Sequence, residues 1–168
     1  MHGYEIHQYI CSLGGLGLVW HVKQSHLYAM SDKLEAEGQI AGQQQVQDTR
    51  PPRRMFHLTP TGRKSFRDWL RRPVAHGRDV RLEFMAKLFF VQLEGAESVT
   101  RLIKSQQLEC TQWHTNLLSQ AQATGGRGSY EWLVYRFRIG QVQAMMNWLD
   151  LCAKARSELV AKSRSDDA

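Results

Sequence analysis

The order of local signals between Lys23 and Gly62 restricts the fold more than any other stretch of the chain. The spacing predicts a helix from about Lys23 to Glu37, stopped by Gly38, with a strand-like segment beginning near Gln39. A basic, proline-bearing turn follows, Asp48-Thr49-Arg50-Pro51-Pro52-Arg53-Arg54, and then a short strand, Met55-Phe56-His57-Leu58. Thr59 is a good N-cap, and Pro60 suits the first position of a new helix, where its missing N–H removes no bond. Helix, hairpin and helix, with cations gathered at the hairpin, point to a winged helix-turn-helix that binds double-stranded DNA.

Within the 23–37 helix, Leu27, Met30 or Ser31, and Leu34 define a narrow buried stripe that Ile40 extends. The opposite face shows Gln24, Ser25, Tyr28, Asp32 and Lys33. That face suits a major-groove helix, and it also suits an ordinary surface helix. The acids Asp32, Glu35 and Glu37 come late, so the first half of the helix is the end expected to meet DNA. In the hairpin, Gln43, Gln44, Gln45 and Gln47 accompany Arg50, Arg53 and Arg54. Guanidinium forks pair with phosphate oxygens, although a solvated charge run has the same composition. Phe56 and Leu58 share one face of their strand and should close over the helix, with Met55 and His57 on the other.

Charge is distributed in keeping with an anionic partner. The net charge is +6. Residues 1–72 carry ten Lys/Arg against six Asp/Glu, and 73–168 carry twelve against ten, so the first part is the more basic. Arg50, Arg53, Arg54, Arg63 and Lys64 lie in fifteen residues without an acid.

Before Lys23 the chain predicts a short amphipathic helix with Ile6, Tyr9, Ile10 and Leu13 on one side, broken by Gly14, Gly15 and Gly17. Leu18, Val19, Trp20 and Val22 form an apolar lead-in. After Gly62, Phe66, Trp69 and Leu70 supply the inner face of a helix that Pro73 ends. The domain plan is therefore a DNA-binding domain over 1–72, a linker over 73–78, a helical dimerisation domain over 79–162 and a frayed tail over 163–168.

The second half reads as helical. Leu82, Met85, Leu88 and Phe89 are the expected buried stripe between Asp79 and Leu93. From about Glu97 to Ala123 the stripe is Val99, Leu102/Ile103, Gln106, Cys110, Trp113 and Leu117. Gly125-Gly126-Arg127-Gly128 breaks the chain and Ser129 can cap the next helix. From Tyr130 the stripe runs Leu133/Val134, Phe137, Gln141, Ala144/Met145, Trp148, Leu151/Cys152, Ala155 and Leu159. Two long antiparallel helices cannot bury such stripes against each other alone. A second copy in a two-fold interface is the simplest partner, with Leu102, Trp113, Leu117, Phe137, Met145, Trp148 and Cys152 as its candidate residues. An intramolecular bundle with the 79–93 helix is the alternative.

Several motifs together resemble the PadR family of transcriptional regulators. They are His2-Gly3-Tyr4-Glu5-Ile6, Ser25-His26-Leu27-Tyr28, Leu34-Glu35-Ala36-Glu37-Gly38-Gln39-Ile40, and the run Arg53 to Gly62. Phe84-Met85-Ala86-Lys87-Leu88-Phe89-Phe90 and the final helix with Trp148-Leu149-Asp150 resemble the virulence-activator-like branch of that family. The resemblance implies a winged-helix domain, a coiled-coil-like C-terminal dimerisation region and control of promoters as a homodimer. It places Ser25, His26 and Tyr28 at the DNA-facing start of the recognition helix and Arg50, Arg53 and Arg54 on the wing; Lys23, Gln24 and Lys33 of the same helix join them as candidate DNA contacts. An alternative place for Tyr28 is a packing contact. Family members usually carry an apolar helix before the Gly-Tyr motif, so the DNA-binding domain is expected to be N-terminally incomplete. A DNA-inactive helical interaction protein is the corresponding alternative.

Other functions find little support. The seven histidines, His2, His7, His21, His26, His57, His76 and His114, form no His-Glu-x-x-His motif, and there is no nucleophile elbow or phosphate-cradling glycine loop. No enzyme activity, metal or cofactor is expected. Cys11, Cys110 and Cys152 show no Cys-x-x-Cys spacing, which suggests buried thiols in a reducing cytoplasm. No signal peptide or long apolar run is present, so no membrane partner is expected. A small apolar effector between subunits, lined by Trp113, Trp148, Tyr130 and Phe137, is the remaining possibility, although aromatic stripes at helical spacing are usually core.

Overall fold

The computed structural model describes residues 1–12, 15–47, 50–124 and 126–166, with side chains described outside 46–53 and 156–166. The chain divides into two compact units, Met1–Arg71 and Arg72–Ala168. It is mainly α-helical with one small β-hairpin.

The first unit begins with helix α1 (Gly3–Cys11), entered through a capping box in which Glu5 N–H donates to His2 Nδ1 (3.3 Å) and His2 N–H donates to Glu5 Oε2 (3.0 Å). Ile6 and Ile10 are half-buried, but Tyr9, expected beside them, is exposed, and Leu13 lies outside the described residues. A short 3-10 turn (Leu16–Leu18) buries Leu16. Helix α2 (Gln24–Ala36) follows and buries Leu27 and Ser31. Of the two candidates for that turn of the stripe it is Ser31, not Met30, that points inward, because its hydroxyl is satisfied locally by Leu27 O (2.9 Å). Gly38 ends the helix at φ +68, the left-handed conformation that glycine adopts without steric cost.

Strands β1 (Ile40–Gln47) and β2 (Arg50–Leu58) pair antiparallel, Ile40 opposite Leu58 and Gln44 opposite Arg54. The expected turn is thus mostly strand, and the strands pair as far as Gln47 and Arg50. Pro51 and Pro52 fall where the register shifts, between the pairs Gln45–Arg53 and Gln47–Arg50, so the ladder is already interrupted where their nitrogens cannot donate. Farther along β2, Phe56 N–H donates to Met1 O (2.9 Å) and His2 bridges to Met55. Phe56 is buried, but Leu58, expected to share its role, is 48% exposed where the strand ends.

Helix α3 (Pro60–Arg71) starts where the Thr-Pro pair predicts. Thr59 Oγ1 accepts from Gly62 N–H (3.0 Å) and donates to Gly38 O (2.7 Å), so one hydroxyl ties the helix to the hairpin base. Gly62 lies so close beneath β1 that a Cβ would meet Gln39 O at 1.9 Å. Leu70 is fully buried, with Phe66 and Trp69 half-buried and their rings 5.7 Å apart.

The second unit begins at Arg72. Residues 73–78, expected as a linker, belong to it. Val74 is 2% exposed, its N–H donates to Gln106 Oε1 (2.8 Å), and its carbonyl accepts from Gln106 Nε2 (3.4 Å). Helix α4 (Gly77–Asp79), a π-helical turn (Val80–Phe84), α5 (Met85–Val91) and a 3-10 turn (Gln92–Glu94) then run in succession. The π-helical turn changes which residues face inward. Phe84, Ala86, Lys87 and Val91 are buried, whereas Leu82 is 50% exposed and Met85, Leu88 and Phe89 are only partly covered. Lys87 keeps its charge paired, with Nζ 3.0 Å from Glu83 Oε1 and 2.8 Å from Arg72 O.

Helices α6 (Ala96–Gln122) and α7 (Tyr130–Asp166) form the antiparallel pair. Ser129 caps α7 by accepting from Trp132 N–H (3.2 Å). The stripe expected on α6 is the buried one: Val99, Leu102, Ile103, Gln106, Cys110 and Leu117. On α7 the inward residues are Ile139, Val142 and Leu149, while Leu133, Phe137 and Leu151 of the expected stripe are 54%, 66% and 63% exposed. The helix therefore carries apolar residues on two faces, and only one of them meets α6. Trp148 packs edge-on against the buried Phe84, ring centroids 6.0 Å apart, so the 77–94 segment does cover part of the hairpin. Helix α7 continues to Asp166, past Lys162, where a frayed tail is expected.

Candidate nucleic-acid interface

Helix α2 has no acid in its first turn, and its N-cap, Lys23, makes no side-chain cap bond. The first amide groups of that helix therefore keep a positive end unopposed by local carboxylates. Lys23, Gln24, Ser25, His26, Tyr28 and Lys33 are all exposed, and Leu27 between them is the buried anchor. Lys33 lies a further turn along, 3.9 Å from Glu37. Tyr28 also has a packing role. A Cβ on Gly3 would meet its ring at 2.6 Å, so the glycine of the Gly-Tyr motif is what lets α1 approach α2.

The hairpin is fastened to α2 by one residue that the sequence pattern does not single out. Glu35 Oε1 accepts from Gly42 N–H (2.9 Å) on β1, and Glu35 Oε2 pairs with Arg54 Nη2 on β2. Arg54 Nη1 is also 3.4 Å from Asp32 Oδ1, and the guanidinium lies 5.6 Å from the centre of the Phe56 ring. Arg54 is thus engaged within the unit, which changes its expected place as a free wing cation. Charge patterning along a helix face gave no sign of this, because the partners are 19 residues apart. The strand runs through Arg50 and Arg53, whose side chains lie outside the described residues.

In the second unit, two expected dimer contacts prove to be internal. Leu102 and Leu117 are 2% and 5% exposed and fill the space between α6 and α7. Trp113, Met145, Trp148 and Cys152 are half-buried, and Phe137 stands out from α7. Within one chain, the four aromatic residues considered for an effector between subunits do not share the cavity that holds Trp113, which includes none of the other three.

A helix presented beside a hairpin, followed by a long helical hairpin, defines a winged-helix regulator architecture. Residues 1–68 match the model of the transcriptional regulator PadR-like family, and residues 80–156 match that of the virulence activator alpha C-terminal region. The chain is 31% identical over 134 residues to the negative transcriptional regulator PadR of Bacillus subtilis, covering 80% of this chain and 68% of that protein. Similar solved structures include Bacillus subtilis PadR with operator DNA (25% identity, 93% and 91% of the two chains, TM-score 0.43). The same protein with p-coumaric acid is another (23%, 94% and 88%, 0.41). The chain belongs to the PadR-like family of transcriptional regulators. Among the described residues no helix is long and apolar enough to cross a membrane.

Proposed function

We propose that the protein is a sequence-specific DNA-binding regulator that acts as a homodimer. Helix α2 enters the major groove and the arginine-bearing wing contacts phosphates or the adjacent minor groove. The observation that carries this is the exposed, acid-free start of α2, with Gln24, Ser25 and His26 side by side and the hairpin held against the helix by Glu35. Residues at that end of a recognition helix reach base edges, and wing cations position the protein on the backbone. The exposed row Leu133, Phe137 and Leu151 on α7 supports a second copy of the chain as partner. Two recognition helices would then read half-sites of a pseudo-palindrome about one helical turn apart.

Selection of bound sequences from random double-stranded DNA tests this. A two-fold motif with half-sites about one turn apart is the expected result. Recovery of no enriched sequence at low salt would defeat it.

One observation favours a second reading. The first unit has an open apolar cavity of about 390 Å³ lined by Ile6, Ile10, Trp20, Leu34, Ile40 and Phe56 among others. A head with that much uncovered apolar surface suits a helical interaction protein that binds DNA poorly. The same selection separates the two.

A further inference from the structure

Helix α3 carries a row of like charges on its open face. Arg63, Arg67 and Arg71 recur at every fourth residue, so the row spans about 12 Å in steps of about 6 Å. With Lys64 they lie within about 100° of one another around the helix, opposite the buried Gly62 and the half-buried Trp69. All four are exposed, and they border an open trough of about 410 Å³ whose other lining residues are Pro60 and Asp68. Lys64 Nζ is 2.7 Å from Asp68 Oδ2. The three arginines make no ion pair among the described residues, and Arg63 Nη2 donates to Leu58 O (3.4 Å).

Like charges one turn apart destabilise a helix, and a bound anion offsets that cost. The position of the row separates two kinds of anion. Thr59 and Gly62 fasten the start of α3 to Gly38 and Gln39, at the end of α2 where the acids Asp32, Glu35 and Glu37 lie. Gln24, at the other end of α2, is about 18 Å of helix away. The hairpin base, Ile40 opposite Leu58, adjoins α3, and the strands run out from it to Gln47 and Arg50. Among the described residues α3 touches the hairpin at β2 and does not run beside α2. Duplex DNA seated on the start of α2 therefore meets the acidic end of that helix before it meets this row.

We propose that the basic face of α3 docks an acidic helical segment of another protein. Carboxylates one turn apart on that segment match the row's step of about 6 Å, and each guanidinium offers a carboxylate two parallel charge-assisted donors. Lys64, already paired with Asp68, contributes less. The surface is separate from the one proposed for DNA, so both partners can be held at once. The choice of a polypeptide over a phosphate backbone rests on the DNA-reading end assigned above, whereas the row itself does not.

The test uses the full chain and a labelled, alanine-based helical peptide with glutamate at every fourth position, followed by fluorescence anisotropy at low salt beside its glutamine counterpart. The glutamate peptide should bind, and the glutamine peptide about tenfold or more weaker. Arg67→Gln combined with Arg71→Gln should weaken the glutamate peptide about tenfold or more. Arg81→Gln combined with Lys104→Gln removes the same charge from exposed positions of the second unit and should leave binding unchanged. The α3 variant should melt no lower than the parent, because it relieves like-charge repulsion; a lower midpoint makes the row part of the fold and overturns the site. No binding of the glutamate peptide, or an equal loss in both variants, also overturns it. So does a loss of mixed-sequence duplex binding confined to the α3 variant, which gives the row to DNA, or a fall in mass by light scattering confined to it, which gives the row to a second copy. Failure of the regulator function reads differently, since the parent then binds the peptide and selects no DNA sequence.

Discussion

Gln106, in the middle of α6, uses its side-chain amide to satisfy both backbone groups of Val74, thirty-two residues earlier, at a position with no solvent access. An amide is one of few side chains that can donate and accept at once. Replacing it by leucine keeps the bulk but leaves a buried N–H and a buried C=O without partners. Gln106→Leu should lower stability by about 2–4 kcal/mol, read as a fall in the thermal midpoint of the second unit. An unchanged midpoint would show that the Val74 groups find other partners.

Glu35 joins α2 to both strands of the hairpin. A double-mutant cycle on Glu35 and Arg54, with alanine at each, should return a coupling of up to about 1 kcal/mol, since the Arg54 side chain is half exposed. Additive effects would mean that the pair does not couple helix and hairpin.

The same contact separates the arginines in DNA binding. A free wing cation that meets one phosphate contributes about 0.9 to the slope of log affinity against log salt. Arg53→Ala should flatten the slope by that amount. Arg54→Ala should change it less, because its charge is already opposed by Asp32 and Glu35. Mobility shifts across a salt series distinguish the two, and an equal effect of both would place Arg54 on the phosphates.

Gly62→Ala should destabilise the first unit by about 1–3 kcal/mol, because the new methyl group falls on the Gln39 carbonyl at 1.9 Å and the hairpin base must move. Urea unfolding measures it. A neutral outcome would mean that β1 relaxes freely from α3.

Burial pushes the Cys110 thiol above its ordinary value of 9.0, with nearby Glu109 adding to the shift and the Gln106 hydrogen bond opposing it. The folded chain therefore holds a proton that the unfolded chain releases. This contribution to stability is complete below the unfolded value and is lost as pH rises through the folded one. Stability should fall as pH rises above 9.0, and Cys110→Ala should make that fall shallower by less than about 1.4 kcal/mol per pH unit. Identical slopes would remove the thiol from the pH response.

In the proposed dimer, Phe137→Glu should give single chains in light scattering, since a charge would replace an apolar side chain that is 66% exposed in one chain. A mass that does not change would move the interface elsewhere.

Local sequence determined the elements of the first unit. Thr59-Pro60 started α3, Gly38 ended α2, and the three- and four-residue spacing of Leu27, Ser31 and Leu34 set the inner face of α2. These are short-range effects, fixed by steric limits on φ and by helix termini that need partners within a few residues. The α6 stripe was legible for the same reason, since Gln106 and Cys110 keep the period of their apolar neighbours.

Other features required the tertiary structure. Helix α7 is apolar on two sides, and periodicity does not say which side its covalent neighbour covers. Packing assigned Ile139, Val142 and Leu149 to that side and left Phe137 outside. The π-helical turn rephased Val80 to Val91, so the inward residues were not those of a regular helix. Arg54 read as a wing cation until chain folding brought Glu35 to it, and Arg138 read as one charge among many until His76 and Trp113 were placed around the same cavity. Short-range signals determined where α2 ends and where α3 and α7 begin, because those interactions lie within one turn. The fold alone decided that Arg54 is neutralised, which face of α7 stays open and which residues share a cavity, because those depend on contacts between residues 19 or more positions apart.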